Sequence, residues 1–195
     1  MPQDAAWPEG VTIALIALGA NTRSWAGGPE LTLRAAVARL AAEGDVLLRQ
    51  SAFYCTPCFP AGAGPDFVNA AAVLATRLGP EALLLRLHEI EAAFGRERIQ
   101  RWGERSLDLD LLAWGDAVLP DARTQAAWRA MPLDEQMRLA PEELLLPHPR
   151  MAERAFVLIP LAEVAPEWLH PLTGETVAQM LAALPEAEKA AVRRL

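Results

Sequence analysis

Lysine is almost absent from this sequence of 195 residues, which contains only Lys189. Positive charge therefore comes from arginine, and acidic residues exceed it to give a net charge of −7 at pH 7. A surface of that sign does not attract nucleic acid or an anionic membrane as a whole. An anionic ligand would have to be bound by a local group of arginines, whose guanidinium groups hold phosphate in a bidentate manner.

Long hydrophobic runs are also absent. Residues 11–20 are apolar, but ten residues are too few to cross a bilayer, and residues 1–10 contain no lysine or arginine that would mark a signal peptide. We therefore expect a cytoplasmic protein with no membrane contact. With 52% apolar and 22% charged residues, the chain has the composition of a globular protein. Its length predicts one domain, 1–195, and we favour a monomer.

Cysteine is scarce, and the two present form a lone CxxC pair, Cys55 and Cys58. A structural zinc site needs four ligands, and no second pair of cysteines or histidines follows. A redox pair usually opens a helix, whereas Pro57 and Pro60 indicate a loop here. Two incidental thiols are the favoured interpretation, and a metal or redox role is the alternative.

The hydrophobic pattern of the first 114 residues predicts the order β-α-β-β-α-β. The helices are expected at 30–42 and 80–95, and the strands at 11–18, 46–54, 67–76 and 106–114. This order is typical of the ferredoxin-like α+β fold, in which two helices cover one face of an antiparallel sheet.

The remaining residues form a C-terminal extension with more proline. We expect a helix or two in 122–140, a turn at 147–150 and a short helix at 176–184. Residues 116–142 are the best candidate for an insertion or a lid.

The strand RSLDLDLL combines leucines with two aspartates. Because side chains alternate along a strand, Asp108 and Asp110 share one face with Ser106, while the leucines share the other. Two carboxylates about 7 Å apart on one face can hold Mg²⁺. The alternative is a sheet face whose aspartates contact only water.

An arginine-rich loop precedes this strand and also contains Trp102. Arginines can neutralise a polyphosphate, and tryptophan can pack on a ring system. Together with paired carboxylates they suggest phosphoryl transfer. The alternative is a charged surface loop in which two glutamates balance the arginines. The arginines are Arg96, Arg98, Arg101 and Arg105.

No Walker A motif is present, so a P-loop does not hold the phosphates. Of the three histidines, His148 lies between two prolines that restrict its backbone, and it is near Arg150. His148 is therefore a candidate phosphate contact, although a purely structural turn is an equal alternative.

These motifs resemble one known family. The segments GRERIQRWGERSLDLDLL and LLLPHPRMAERAFVLIPLAEVAP are similar to 6-hydroxymethyl-7,8-dihydropterin pyrophosphokinases of folate biosynthesis, as are IALGAN and SAFYCTPCFPAGAGPDFVNAA. The family transfers pyrophosphate from ATP to the hydroxymethyl group of the reduced pterin and releases AMP. The resemblance therefore implies this activity, with ATP and the pterin as ligands and two Mg²⁺ ions as cofactors. Segment 120–142 is longer than the minimal family pattern.

The resemblance also implies roles for individual residues. Asp108 and Asp110 would bind Mg²⁺, and Arg96 and Arg105 would stabilise the transferring group. The two faces of the pterin ring would contact aromatic side chains. The implied ATP-binding residues are Glu91, Arg98, Trp102, Leu111, His148 and Arg154. The implied pterin-binding residues are Thr56, Pro57, Phe59, Phe67, Asn69 and Phe156.

Two other functions fit the residues less well. A two-metal nucleotidyltransferase would also use paired aspartates, but it would attack the α-phosphate and release pyrophosphate. A non-enzymatic ferredoxin-like module that binds a ligand would not require paired aspartates beside clustered arginines, and the net negative charge argues against RNA as its partner.

Overall fold

The computed structural model describes residues 8–41, 44–58, 64–96, 105–132, 135 and 138–195. Within these residues, six strands form one antiparallel sheet. The strands are β1 (Thr12–Ala20), β2 (Val46–Gln50), β3 (Tyr54–Thr56), β4 (Phe67–Thr76), β5 (Asp108–Trp114) and β6 (Arg193–Arg194).

The strands lie in the order β5-β1-β4-β3-β6, and β2 pairs with β4 beside β3. Apart from the short strands β3 and β6, this is the strand order of a ferredoxin-like sheet, so the predicted fold class is confirmed. No described helix combines the length and the apolar composition that crossing a membrane requires.

The helices begin at the positions that sequence rules favour. The first two, α1 (Pro29–Leu40) and α2 (Pro80–Ala93), each have proline in the first turn, where its missing N–H has no partner to lose. The others are α3 (Ala122–Ala130), α4 (Ala155–Val164), α5 (Val177–Ala183) and α6 (Glu186–Ala190), with a 3₁₀ turn at Met151–Glu153.

Alternate residues of the sheet enter two separate cores. Ile16 and Leu18 of β1 lie in a core with residues of α1 and α2. Leu15 of β1 lies on the other face, in a core with residues of α4 and α5. The sequence predicted helices on one face only, whereas the C-terminal extension covers much of the second face and makes a third layer.

The predicted strand 46–54 is two strands, β2 and β3. Between them, the hydroxyl of Ser51 accepts a hydrogen bond from the backbone N–H of Ala71 at 2.9 Å, in place of a regular ladder bond. The side chain of Ser51 thus competes with the ladder and divides the strand. The result is a short β3 that ends at Thr56, at the end of the sheet where β4 and β5 begin.

Candidate active site

Three strands bring side chains from distant parts of the chain into one row. Gly19 of β1 pairs with Asn69 of β4 on one side and with Asp108 of β5 on the other. A Cβ atom at Gly19 would lie 3.2 Å from Oδ1 of Asn69, and 3.9 Å from both Cβ of Asp108 and Cδ1 of Phe67. Because glycine has no side chain, the surface of the sheet between Asn69 and Asp108 stays open. Gly19 lies just beyond the strand predicted at 11–18, and sequence reasoning missed this role.

Asp108 is held by two arginines. Nη1 of Arg96 lies 2.6 Å from Oδ1 of Asp108, and Arg105 donates to its Oδ2. Arg96 also pairs with Glu91, whose Oε1 accepts the backbone N–H of Leu109 at 2.7 Å. Helix α2, the residues after it and β5 are thus joined around one carboxylate, and Glu91 is only 2% exposed.

The environment of Asp108 disfavours ionisation of its carboxyl group. Burial raises the pKa of Asp108, the negative charge of Asp110 raises it further, and Arg105 and Arg96 oppose both effects. Asp108 and Asp110 share a sheet face, as the alternation predicted, because Leu109 and Leu111 enter the core on the other face. A further positive charge at this face would stabilise both carboxylates.

His148 lies close to these carboxylates and is fixed by its backbone. Its N–H donates to the carbonyl of Leu112 at 2.8 Å, and Leu112 is the extra residue of a bulge in β5. Burial lowers the pKa of His148 to about 3, and the charge of Arg154 contributes. The neutral ring accepts the N–H of Arg150 at Nδ1 (3.1 Å), so its proton is on Nε2.

Arg154 precedes α4 and lies near the same carboxylates. Burial lowers the pKa of Arg154, and the charges of Asp110 and Asp108 oppose that effect. Its guanidinium carbon is 5.7 Å from the ring centroid of Phe156, a cation–π contact. Phe156 is 39% exposed, so part of its ring is open to contact with a ligand.

On the opposite side of Gly19, two buried polar side chains are paired. Nδ2 of Asn69 donates to the hydroxyl of Thr56 at 2.7 Å, and each residue is 6% exposed. Phe67 pairs with Thr56 across β3 and β4 and is half-buried, and Pro57 is exposed just beyond β3. Hydrogen-bonding groups and an aromatic ring thus lie together, as a flat heteroaromatic ligand requires.

The donor set is suited to a hard cation. Among the described residues, no group of three His, Cys, Asp or Glu side chains could hold a metal ion by itself. Two carboxylates, Asp108 and Asp110, are enough for Mg²⁺ when water and phosphate oxygens complete its coordination. A metal bound here would therefore depend on a phosphate ligand.

Comparison with known sequences identifies the family. The family model for 7,8-dihydro-6-hydroxymethylpterin-pyrophosphokinase (HPPK) matches residues 15–166. The chain belongs to the HPPK family. It is 38% identical to the 2-amino-4-hydroxy-6-hydroxymethyldihydropteridine pyrophosphokinase of Synechocystis over 86% of this chain and 74% of the relative. The protein of the same name from Methylorubrum extorquens is 38% identical over 89% of this chain and 94% of the relative.

Solved structures of this family have the same fold. The wild-type HPPK-DHPS of Plasmodium falciparum, solved with pteroate, superimposes with a TM-score of 0.61 over 91% of this chain, at 15% identity. This chain covers only 43% of that longer protein. At this identity the likeness concerns the fold alone, and it agrees with the ferredoxin-like arrangement described above.

Three of the residues that the HPPK resemblance implies, Arg98, Trp102 and Phe59, lie outside the described residues. Leu111 has its side chain in the core and is 3% exposed, so only its backbone could contact a nucleotide. Glu91 supports Arg96, and its predicted contact with ATP stays a prediction.

Asn21 is a second residue that sequence reasoning missed. Its Oδ1 accepts the N–H of Arg105 at 2.8 Å, its Nδ2 donates to the carbonyl of Pro65 at 3.3 Å, and it is 4% exposed. It therefore links Arg105 to the loop before β4. In the sequence Asn21 resembles an ordinary turn residue, and only the fold brings it to Arg105.

Cys55 and Cys58, the CxxC pair, are both free and partly buried, and Sγ of Cys55 lies 3.7 Å from a carboxylate oxygen of Asp66. The interpretation of the pair as two incidental thiols stays a prediction.

Proposed function

We propose that this chain transfers pyrophosphate from ATP to the hydroxymethyl group of 6-hydroxymethyl-7,8-dihydropterin and releases AMP, in a reaction that needs Mg²⁺. The observation that carries the proposal is the row across the sheet. Asp108, paired with Arg96 and Arg105, lies two strands away from the Thr56–Asn69 hydrogen bond, with Gly19 between them. Groups suited to phosphate and groups suited to a flat ring are therefore neighbours.

The phosphates of ATP would bind on the side of His148 and Arg154. His148 is neutral and carries its proton on Nε2, so it can donate a hydrogen bond to a phosphate oxygen without titrating near pH 7. Arg154 provides a full positive charge beside it. One neutral donor and one cation can orient the phosphates of ATP. Other groups would then neutralise most of the negative charge of these phosphates.

The pterin would bind on the side of β3 and β4. Thr56 and Asn69 are held in fixed positions by their mutual hydrogen bond, so they can read the polar edge of the ring. Phe67 and Phe156 supply aromatic surfaces, and the exposure of Phe156 leaves its ring available. The ring would then extend its hydroxymethyl group over Gly19 toward Asp108.

Asp108 and Asp110 would hold Mg²⁺ together with phosphate oxygens. The bound ion would neutralise charge on the phosphates and on the departing AMP. Because the pKa of Asp108 is raised by burial and by Asp110, these carboxylates gain more from a cation than exposed carboxylates would. The number of ions, two by family resemblance, is part of the proposal.

In the reaction, the hydroxymethyl oxygen forms a bond to the β-phosphorus of ATP. The bond between that phosphorus and the oxygen bridging to the α-phosphorus breaks, AMP leaves with this oxygen, and the hydroxyl proton is released. Arg96 and Arg105 would stabilise the transferring group once Asp108 binds the cation instead of them. Positioning and charge neutralisation thus account for catalysis by these side chains.

The test is product analysis after incubation with ATP, Mg²⁺ and the reduced pterin. We expect equal amounts of AMP and pterin pyrophosphate, with no AMP when the pterin or Mg²⁺ is left out. Release of inorganic pyrophosphate together with a nucleotidyl-pterin would identify a nucleotidyltransferase and overturn the proposal. Absence of any nucleotide turnover would overturn it in favour of a binding module.

A further inference from the structure

A glutamine in the segment 116–142 is completely buried at the turn that carries His148. The other residues of helix α3 are exposed or partly exposed, and Gln125 alone is buried, with 0% exposure. Its Nε2 donates to the carbonyl oxygen of Pro147 at 2.9 Å. Its Oε1 is buried and has no hydrogen-bond partner among the residues that the structure describes.

The hydrogen bond from Gln125 completes the restraint of one peptide group. The carbonyl of Pro147 and the N–H of His148 belong to the same planar peptide unit. The oxygen of that unit is held by Gln125, and its N–H is held by Leu112 of β5 at 2.8 Å. Rotation of this peptide would break both bonds, so the direction in which the His148 side chain leaves the backbone is fixed.

A second contact joins the chain around α3 to the turn that carries His148. Leu119 and Leu146 exchange two backbone hydrogen bonds of 2.8 and 3.2 Å, just before α3 and just before the turn. Residues 119–125 therefore contact the chain at 146 and 147, on the approach to His148. This part of the segment 116–142 therefore lies beside the turn.

The burial of a polar side chain here needs a reason. An unpaired buried acceptor such as Oε1 of Gln125 destabilises the folded state, so an apolar side chain of the same size would suit this position better for stability alone. The N–H donor to Pro147 is what an apolar residue would lack. A glutamine at this position therefore orients the turn, at a cost in stability that an apolar residue would avoid.

We propose that Gln125 is a positioning residue for ATP, which acts through the Pro147–His148 peptide to aim the His148 side chain at the phosphates. This rests on the proposed role of His148 in the preceding subsection. It also gives the segment 116–142 a function that the family resemblance does not supply. Gln125 itself touches no reacting group.

The main test replaces Gln125 by methionine, which has similar length and volume but no donor. We expect the KM for ATP to rise about five- to tenfold, because a misaimed His148 loses one phosphate contact, while the KM for the pterin stays the same. The thermal midpoint should stay the same or rise, because the unpaired acceptor is removed. A role in stability alone would instead lower the midpoint and leave both KM values unchanged.

Two further variants make the test specific. Gln50→Met makes the same chemical change at an exposed glutamine of β2 and should change nothing. In the double variant Q125M/H148A, the KM for ATP should be no higher than in H148A alone, since Gln125 acts through His148. Additive effects would overturn the proposal, as would failure of both Gln125→Met and Gln125→Leu to fold.

Failure of the proposed function can be told apart from failure of this inference. If the unsubstituted protein forms no AMP, the proposed function fails, and binding of α,β-methylene-ATP measured by calorimetry becomes the readout for Gln125. If the protein forms AMP but Gln125→Met keeps the original KM for ATP, only the role of Gln125 is overturned.

Discussion

At the scale of single residues, the two aspartates of β5 carry the most chemistry. Asp108→Asn and Asp110→Asn should each lower kcat by about a hundredfold or more, because the carboxylate that would hold Mg²⁺ is lost. Folding should survive in Asp108→Asn, since burial already disfavours the charge and Arg96 keeps its bond to Glu91. AMP release as a function of Mg²⁺ concentration measures the effect.

The control for these variants is Asp116→Asn, at an exposed aspartate just beyond the end of β5. It should keep the kcat and the Mg²⁺ dependence of the unsubstituted protein. Near-normal turnover in either Asp108→Asn or Asp110→Asn would show that the metal assignment is wrong.

Gly19 provides a prediction about the pterin side. In Gly19→Ala the new Cβ atom would press on Oδ1 of Asn69 at 3.2 Å and fill the open surface of the sheet next to Asp108. We expect the KM for the pterin to rise about tenfold or more, with little change in ATP binding. Stability should change little, because Gly19 has an ordinary strand backbone that alanine can adopt.

Gly79→Ala is the matched control, because a Cβ atom at Gly79 meets nothing within 4 Å. Calorimetric titration with the pterin compares the two variants directly. If Gly19→Ala bound the pterin as tightly as Gly79→Ala does, the hydroxymethyl group of the pterin could not extend over Gly19.

At the scale of secondary structure, periodicity predicted the elements whose environment is regular. The strand at 67–76 was predicted with the bounds of β4, and α1 and α2 lie within two residues of their predicted bounds. The two helices repeat apolar residues because each has one face toward a core. Strand β4 is instead a nearly continuous apolar run, because its two faces enter the two different cores. Alternation along a strand located Asp108 and Asp110 on the face opposite the leucines of β5.

The hydrophobic pattern of the sequence did not reveal elements and residues whose structure depends on tertiary contacts. Helix α4 is apolar on most sides, so its sequence has no helical period and no element was assigned to 156–166. Strand β6 has two exposed arginines, and only its pairing with β3 makes it a strand. Asn21 and Gly19 were missed for the same reason, since their partners are distant in sequence.

At the scale of the whole molecule, the third layer provides positive charge that would let an acidic protein bind the anionic ligand proposed for it. The net charge is −7, yet His148 and Arg154 approach the carboxylates of β5 from the C-terminal extension, outside the βαββαβ core. Arg96 and Arg105 contact Asp108 from the βαββαβ part of the chain. The side of the site proposed to bind phosphate is therefore complete only when the extension packs on the sheet.

Because His148 is partly buried in that packing and its pKa is lowered, acid should unfold the whole molecule partly through this residue. Its folded pKa of about 3 lies below the value of about 6.5 expected when it is unfolded. Between these values the unfolded chain binds the proton and the folded chain does not, so stability falls as pH decreases below about 6.5. Urea unfolding at pH 7.5 and pH 5 should show a loss of up to about 2 kcal/mol from His148.

His148→Asn isolates this contribution, because its Oδ1 can accept the N–H of Arg150 as Nδ1 does but cannot titrate. The lowered pKa of His170, caused mainly by burial, and the raised pKa of Asp108 are present in both proteins and cancel in the comparison. The variant should therefore lose less stability than the unsubstituted protein between pH 7.5 and pH 5. Equal losses would mean that folding does not lower the pKa of His148, and the ring would then not stay neutral down to pH 5 as its burial predicts.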